Sequence, residues 1–410
     1  MRVSVIGWEL PPVFSGGLGV HTINIFSILN RMIDVTVYVP DVDGLYDKYP
    51  FNVKKIRFNT ESLSEYSGTA GQTKNGEIEN KPDENSYYKN SGIKNINFNN
   101  FNFKDFNEMI YYYNKGVVDC FDKNTDIIHC HDWITFSAGI ELKKKYGIPL
   151  VITIHSTEID RSGNFFPQKY IMDIEKEAIK IADKIIAVSD YTRNMIIDNY
   201  NADAKKIYVI YNGVNPNLID SGYRDYSLHK NILYFGRVTT QKGPKFFLET
   251  AKKVVKYFPG VKFVVAGTGD LIYDMKKLAV ESKIEDNVIF TGFVSLNDKI
   301  KYFRDTDVFV LPAVSEPFGI SVIEAMSMGT PTIISNTTGV GEALYNVFKC
   351  DFYDTDLMAE YIIGLLKYKG LRETMGTNGQ IEAKRFTWEN AAIKTMYVYK
   401  SVFSGGDYER

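Results

Sequence analysis

Along this chain, short runs rich in Val and Ile alternate with longer segments whose apolar residues return every three or four positions. That alternation is the pattern of parallel strands joined by crossover helices, because a parallel pair cannot be closed by a hairpin. It predicts an α/β chain. In the first half the candidate strands are Val3 to Ile6, Val35 to Val39, Ile127 to His129, Leu150 to Ile154 and Lys184 to Val188. In the second half they are Ile232 to Phe235, Val261 to Ala266, Val288 to Phe290, Val308 to Leu311 and Thr332 to Ile334. Helical stretches lie between them, among them Pro244 to Tyr257 and Phe318 to Met328, which Gly329 stops. The polar stretch Asn212 to Lys230, with Gly213, Pro216 and Gly222 and no clear period, separates the two series.

Two Rossmann-like domains facing across a cleft are therefore expected: 1–212, 213–389, and a last helix from 390 to 410. Open parallel sheets bind ligands at the carboxyl ends of their strands, so an active site should draw on both halves. The segment 61–102, crowded with Asn, Ser, Gly, Lys and Glu, reads as a long solvated insertion or an acceptor-gripping loop. Tyr111 to Tyr113 just beyond it suits sugar stacking or helix packing.

The 410 residues suffice for two or three cores, and 48 basic against 50 acidic side chains leave a formal charge of −2. Nothing in that balance supplies the basic surface that nucleic-acid binding requires. Three cysteines, Cys120, Cys130 and Cys350, are too few for a disulfide-stapled secreted scaffold, which points to the cytoplasm. Apolar runs such as Val308 to Val314 fall short of the roughly 20 residues that cross a bilayer. Met1 to Leu10 reads as a strand, since prolines and glycines follow it where a signal peptide would carry a cleavage site.

Polar groups collect at the predicted strand ends. Gly16-Gly17-Leu18-Gly19 opens a helix after the first strand, a turn whose bare amides suit either a phosphate or a plain tight bend. Gly236-Arg237 ends one strand and Lys242-Gly243-Pro244 opens the next helix, setting an arginine fork and a lysine point charge at one cleft edge. Such cations suit a diphosphate leaving group. Glu316 and Glu324 stand eight residues apart after Val308 to Leu311. With Pro317 near the first helical position, Glu324 would lie about 12 Å along the axis from Glu316 and about 80° around it, so both can face one elongated ligand. In the first half, His129-Cys130-His131-Asp132-Trp133 and His155-Ser156-Thr157-Glu158 end two strands. Cys130 alternates with the histidines across its strand and no second Cys/His pair has zinc spacing, so no metal is expected.

Taken together these motifs resemble the GT-B retaining glycosyltransferases, family 4 and the neighbouring glycogen and starch synthases, over nearly the whole chain. The Glu316 to Glu324 element is similar to the family's E-x7-E pattern, its most specific motif. The resemblance implies a nucleoside-diphosphate sugar as donor substrate, no resident cofactor, and transfer of a hexose such as glucose with retention. It implies that Arg237, Lys242 and the Gly16 and Gly17 backbone hold the diphosphate. Glu324 would take the ribose hydroxyls, while Glu316 with the backbone of Phe318 and Gly319 would orient the sugar. His155 would lie against that sugar, Asp132 on the acceptor side, and Gly267, Gly269 or Gly292 near the base. The last helix, Asn390 to Phe403, would cross back to the first domain.

Two departures bear on the acceptor, which is left open as a carbohydrate, a small molecule or a lipid. Phe14 stands where the synthases' K-x-G-G-L turn has lysine, and the segment before Asp354 is abbreviated. Lys143 to Lys145 offer a contact for anionic lipid at a membrane surface or a plain solvated helix face. A sugar-nucleotide epimerase and a catalytically silent sugar-nucleotide binder are the competing readings.

Overall fold

The computed structural model describes residues 1–11, 16–42, 45, 48–57, 106–163, 165–214, 224, 226, 230–294 and 296–404. The insertion 61–102 and Phe14 lie outside them. The first half runs β1 (Arg2–Ile6), α1 (Gly17–Leu29), β2 (Asp34–Pro40), β3 (Asn52–Ile56), α2 (Phe106–Asp119), β4 (Ile127–His131), α3 (Trp133–Tyr146), β5 (Leu150–Ile154), α4 (Glu158–Arg161), α5 (Lys169–Ile181), β6 (Lys184–Ala187), α6 (Asp190–Tyr200) and β7 (Ile207–Val209). The second runs β8 (Asn231–Phe235), α7 (Pro244–Val254), β9 (Lys262–Ala266), α8 (Ile272–Glu281), β10 (Val288–Gly292), α9 (Leu296–Arg304), β11 (Val308–Leu311), α10 (Ile320–Ser327), β12 (Thr332–Ser335), β13 (Phe348–Cys350), α11 (Thr355–Lys367) and α12 (Lys369–Ala383). Helix α13 (Trp388–Ser404) follows.

The strands form two parallel sheets, ordered β3-β2-β1-β4-β5-β6-β7 and β10-β9-β8-β11-β12-β13. Period-two alternation sends successive side chains to opposite helical layers. Val3, Val5 and Val37 pack with α1 and α13, whereas Ile128, Cys130 and Ile152 pack with α2, α3 and α5. In the second sheet Ile232, Tyr234 and Val265 face α7 and α11, and Leu233, Val264 and Phe309 face α10. Each such Val or Ile contributes about 1.5–3 kcal/mol by leaving water.

Both strand orders reverse direction once, beside β1 and β4 in the first sheet and beside β8 and β11 in the second. A crevice opens at the carboxyl ends of strands at such a switch point. The turn after β1, Asp132 after β4, Arg237 after β8 and Glu316 after β11 are the residues found there.

The chain crosses between the sheets twice, side by side. Val214 N–H donates to the Phe386 carbonyl at 3.0 Å. A Cβ on Gly213 would stand 2.3 Å from the Trp388 backbone nitrogen, so this close crossing requires glycine. Trp388, Ala391, Ala392 and Tyr399 of α13 then pack with Ile25, Phe26 and Leu29 of α1.

Every strand expected from the sequence is present, and β3, β7 and β13 are additional. Helix α10 departs from expectation. Gly319, left-handed at φ 101°, precedes its first residue, Ile320. Pro317 and Glu316 therefore lie outside the helix, and Glu316 forms a parallel bridge with Thr338. The helical offset between Glu316 and Glu324 does not apply.

Candidate functional site

The second-lobe half of the crevice is built on glycines. Gly236 and Gly267 have φ of 151° and 143°. A Cβ on Gly267 would stand 1.9 Å from the Gly236 carbonyl oxygen, so the ends of β8 and β9 approach as only bare backbone allows. Gly267 N–H reaches the Gly292 carbonyl at 2.9 Å, tying in β10. Gly243, left-handed at φ 64°, caps α7 ahead of Pro244 and fixes where Lys242 leaves the backbone.

Cations and carboxylates meet there. Lys242 Nζ forms an ion pair with Glu316 Oε2, their side chains 17% and 9% exposed. Arg237 Nη2 lies 3.4 Å from Gln241 Oε1, one residue from Lys242. Glu316 Oε1 faces the Phe318 N–H at 3.4 Å, and the Glu316 backbone is pinned by Thr337 and Gly339. Buried Glu324 has Lys299 Nζ 2.5 Å from its Oε2, out of line for a hydrogen bond, with the ammonium over the Phe235 ring at the end of β8. All four predicted charged groups thus gather at the carboxyl ends of β8 and β11.

The first-lobe half faces them. Gly16 caps α1, and a Cβ on Gly17 would stand 3.8 Å from Ile320 Cδ1 of α10, so the glycine turn abuts the start of that helix. Glu9, which the sequence did not single out, places Oε2 3.0 Å from the Gly19 N–H in the first turn of α1. Burial raises its pKa, while the Gly19 N–H and the Arg237 charge lower it. A carboxylate therefore already engages the helix start at which a phosphate was expected.

Asp132 follows β4 at φ 58°, a left-handed conformation rare for a residue with a side chain. Its Oδ1 accepts the His155 N–H at 2.7 Å and the Ser156 N–H at 3.4 Å. Burial raises its pKa to about 7 against the opposing Arg161 charge. The carboxylate thus fixes the backbone that carries His155. His155 Nε2 lies 3.0 Å from His131 Nδ1, and the His21 ring meets His155 edge-on at 4.5 Å. Burial holds the His131 and His155 pKa values well below the ordinary range, so these imidazoles are neutral. Cys130 points to the opposite face, toward Gly139, and is separate from the histidines.

The halves also touch directly. Ser315 Oγ–H donates to Asp160 Oδ1 of α4 at 2.6 Å and lies 3.0 Å from the Tyr191 hydroxyl. Glu342 accepts the Asp190 and Tyr191 N–H groups at the start of α6, at 2.6 and 2.9 Å. The loop carrying Glu316 is thereby held from both lobes. On the outer surface, Lys143 and Lys144 pair with Asp183 and Glu177 of the neighbouring segment, which fits the solvated-face reading.

The profile described as Glycosyltransferase Family 4 matches residues 15–218, and that described as Glycosyl transferases group 1 matches 225–382. The chain belongs to the GT-B glycosyltransferases. An uncharacterized glycosyltransferase of Methanocaldococcus jannaschii is 29% identical, with 98% of each chain covered. The glycogen synthase of Mycobacterium tuberculosis is 25% identical over 68% of this chain and 70% of its own. Among solved structures, the Anabaena protein HepE in complex with UDP and glucose has a TM-score of 0.71 at 17% identity, covering 98% of this chain and 100% of that one. Among the described residues of this glycosyltransferase, no helix is long and apolar enough to cross a membrane.

Glu9, His21 and Lys299 join this candidate site without having been singled out from sequence, while Asp160 and Ser315 stood in the polar strand ends around His155 and Glu316 without a role. Only Glu9 carried a local signal, a lone carboxylate between an apolar strand and the glycine turn. The others reach the site through contacts between distant elements.

Proposed function

We propose that this glycosyltransferase moves a hexosyl group, a glucosyl group above all, from a nucleoside-diphosphate sugar to an acceptor hydroxyl with retention of anomeric configuration. The Lys242–Glu316 ion pair beside Arg237, at the switch point of the second sheet and facing the first lobe's glycine turn, carries this reading. Residues 213–389 would form the donor domain and 1–212 the acceptor side, acting in the cytoplasm, where the three free thiols stay reduced.

Arg237 and Lys242 would stabilise the diphosphate as its charge grows in the transition state. Lys242 has a second task, since its ammonium holds the Glu316 carboxylate that would orient the donor sugar with the Phe318 and Gly319 amides. Glu324, oriented by Lys299, would take the ribose hydroxyls. Neutral His155, held through Asp132, would lie against the sugar. On the same-face route the bond from the anomeric carbon to the phosphate oxygen breaks, the acceptor oxygen bonds to that carbon, and its proton passes to the departing phosphate. The glycogen synthase likeness and the UDP and glucose bound by HepE support a glucosyl donor.

The test is a screen of radiolabelled adenosine, uridine and guanosine diphosphate sugars against pooled acceptors, with the product anomer read by NMR. A glycoside of the donor's own anomeric configuration is expected. An inverted product would overturn retention. An epimerised free donor, or tight donor binding with no turnover across the panel, would overturn transfer.

A further inference from the structure

Four histidines from three segments form one stack, three of them buried and the fourth half-buried: His21 of α1, His129 and His131 of β4, and the half-buried His155 after β5. Ring centroids are 4.3 Å apart for His129 and His131, 5.3 Å for His131 and His155, and 4.5 Å for His21 and His155. His129 is fully engaged, with Nδ1 2.7 Å from the Tyr399 hydroxyl and Nε2 2.7 Å from Thr153 Oγ1. The other three are not. Each offers one ring nitrogen, and these three nitrogens lie within 4.8 Å of one another.

We infer that His21, His131 and His155 form a binding site for a borderline transition-metal cation such as Zn2+, and that filling it blocks the donor sugar. The chemistry of the donor set selects the ion. Three imidazole nitrogens without a carboxylate suit Zn2+, Co2+, Ni2+ or Cu2+, and they disfavour Mg2+, Ca2+ and Mn2+, which prefer oxygen. Zn–N bonds of about 2.0–2.1 Å in a tetrahedron require nitrogens roughly 3.3 Å apart. His131 Nδ1 and His155 Nε2 already stand 3.0 Å apart. The third imidazole needs to close by at most about 1.5 Å to complete a three-ligand site whose fourth position stays open.

The surroundings are those of a metal site. His21 Nδ1 is 2.8 Å from Asn212 Oδ1, an oxygen that only accepts, so the proton sits on Nδ1 and the Nε2 lone pair is left for a metal. His155 is anchored through its backbone by Asp132. His131 meets the trio through Nδ1, and its other nitrogen, Nε2, is buried with no hydrogen-bond partner, so it can carry the ring proton when Nδ1 binds an ion. On binding, the proton shared between His131 and His155 moves to the other nitrogen of its own ring, and no net proton is released. The blocking half of this inference rests on the proposed function, in which His155 lies against the donor sugar. No zinc spacing shows along the chain because the three ligands come from separate elements that only the fold brings together.

The experiment titrates buffered Co2+ into the chelator-treated full chain and reads the visible d–d band of a nitrogen-ligated tetrahedral ion. One equivalent is expected to bind, to be displaced by one equivalent of Zn2+, and to bind at least about tenfold more weakly in His21→Gln and in His131→Gln. His129→Gln alters the same stack outside the trio and should keep the band, which separates ligand loss from general disruption. No band, or a band unchanged in His21→Gln and His131→Gln, overturns the site. Saturating nucleotide sugar should weaken Co2+ binding several-fold. A band indifferent to donor leaves the site standing and overturns both the blocking and the placement of His155 against the sugar.

Discussion

Replacing Lys242 by Ala separates the two tasks that its ammonium performs. Its side chain is 17% exposed and pairs with a Glu316 side chain 9% exposed. Without it, the Glu316 carboxylate keeps one long contact, the Phe318 N–H at 3.4 Å. Breaking a buried pair from one side costs about 3–5 kcal/mol, and the remaining solvent access at Lys242 brings the expected loss to about 2–3 kcal/mol. Catalysis loses a preorganised cation at the leaving group, on the scale of about 100- to 1000-fold, or about 2.7–4 kcal/mol. The assay is release of nucleoside diphosphate from the donor, by transfer or by slow hydrolysis, alongside urea unfolding. Lys242→Ala/Glu316→Gln removes the stranded charge, so stability should largely return while turnover stays low. Turnover within about threefold of the parent in Lys242→Ala would refute the cation's role. A double variant no more stable than the single one would refute the ion-pair argument.

Further outcomes follow from the same geometry. Gly267→Ala sets a Cβ 1.9 Å from the Gly236 carbonyl at φ 143° and should destabilise by more than about 3 kcal/mol in urea unfolding, if the protein folds at all. Ser315→Ala leaves buried Asp160 without its cross-lobe donor, costing about 1–3 kcal/mol and raising the donor KM in steady-state kinetics. The pH dependence has a defined sign at His21, whose folded pKa is lowered to about 4 by burial. Between that value and about 6.5 the unfolded chain binds more protons than the folded one, so acidification through this window removes about 3 kcal/mol. Asp132, raised to about 7, acts in the opposite direction, gaining stability as pH falls through 7. Comparing His21→Asn with the parent isolates the histidine: the fall in stability from pH 6.5 to 4 should be smaller in the variant, by calorimetry or urea unfolding at each pH.

The buried strands were legible because their side chains are apolar on both faces, as in Leu150–Ile154 and Val308–Leu311. The three strands missed are all sheet edges: β3 carries Lys54 and Lys55 half-buried, and β7 and β13 have three residues each. An edge has one partner and a wet side, so neither length nor apolar continuity marks it. Tyr113 is core, its hydroxyl 2.5 Å from the Gly7 carbonyl and 2.9 Å from that of Tyr38, which supports packing over sugar stacking for this residue. Periodicity could not tell which of three consecutive tyrosines turns inward. Arg237, Lys242, Glu316 and Glu324 were readable because strand ends and helix starts follow one another closely in an α/β chain. Their exact geometry was not, since left-handed Gly319 delays α10 by residues that a helical wheel counts as turned. The His21–His131–His155 cluster was invisible, because it depends on α1 packing over the ends of β4 and β5.

Clamping of a diphosphate between the lobes is tested most directly by titration calorimetry of adenosine, uridine and guanosine diphosphates into the parent and Arg237→Ala. Loss of a charge-assisted contact of about 1.5–3 kcal/mol predicts binding weaker by about 10- to 100-fold in the variant for whichever diphosphate the parent prefers. Equal affinity for that diphosphate in both proteins would contradict the account.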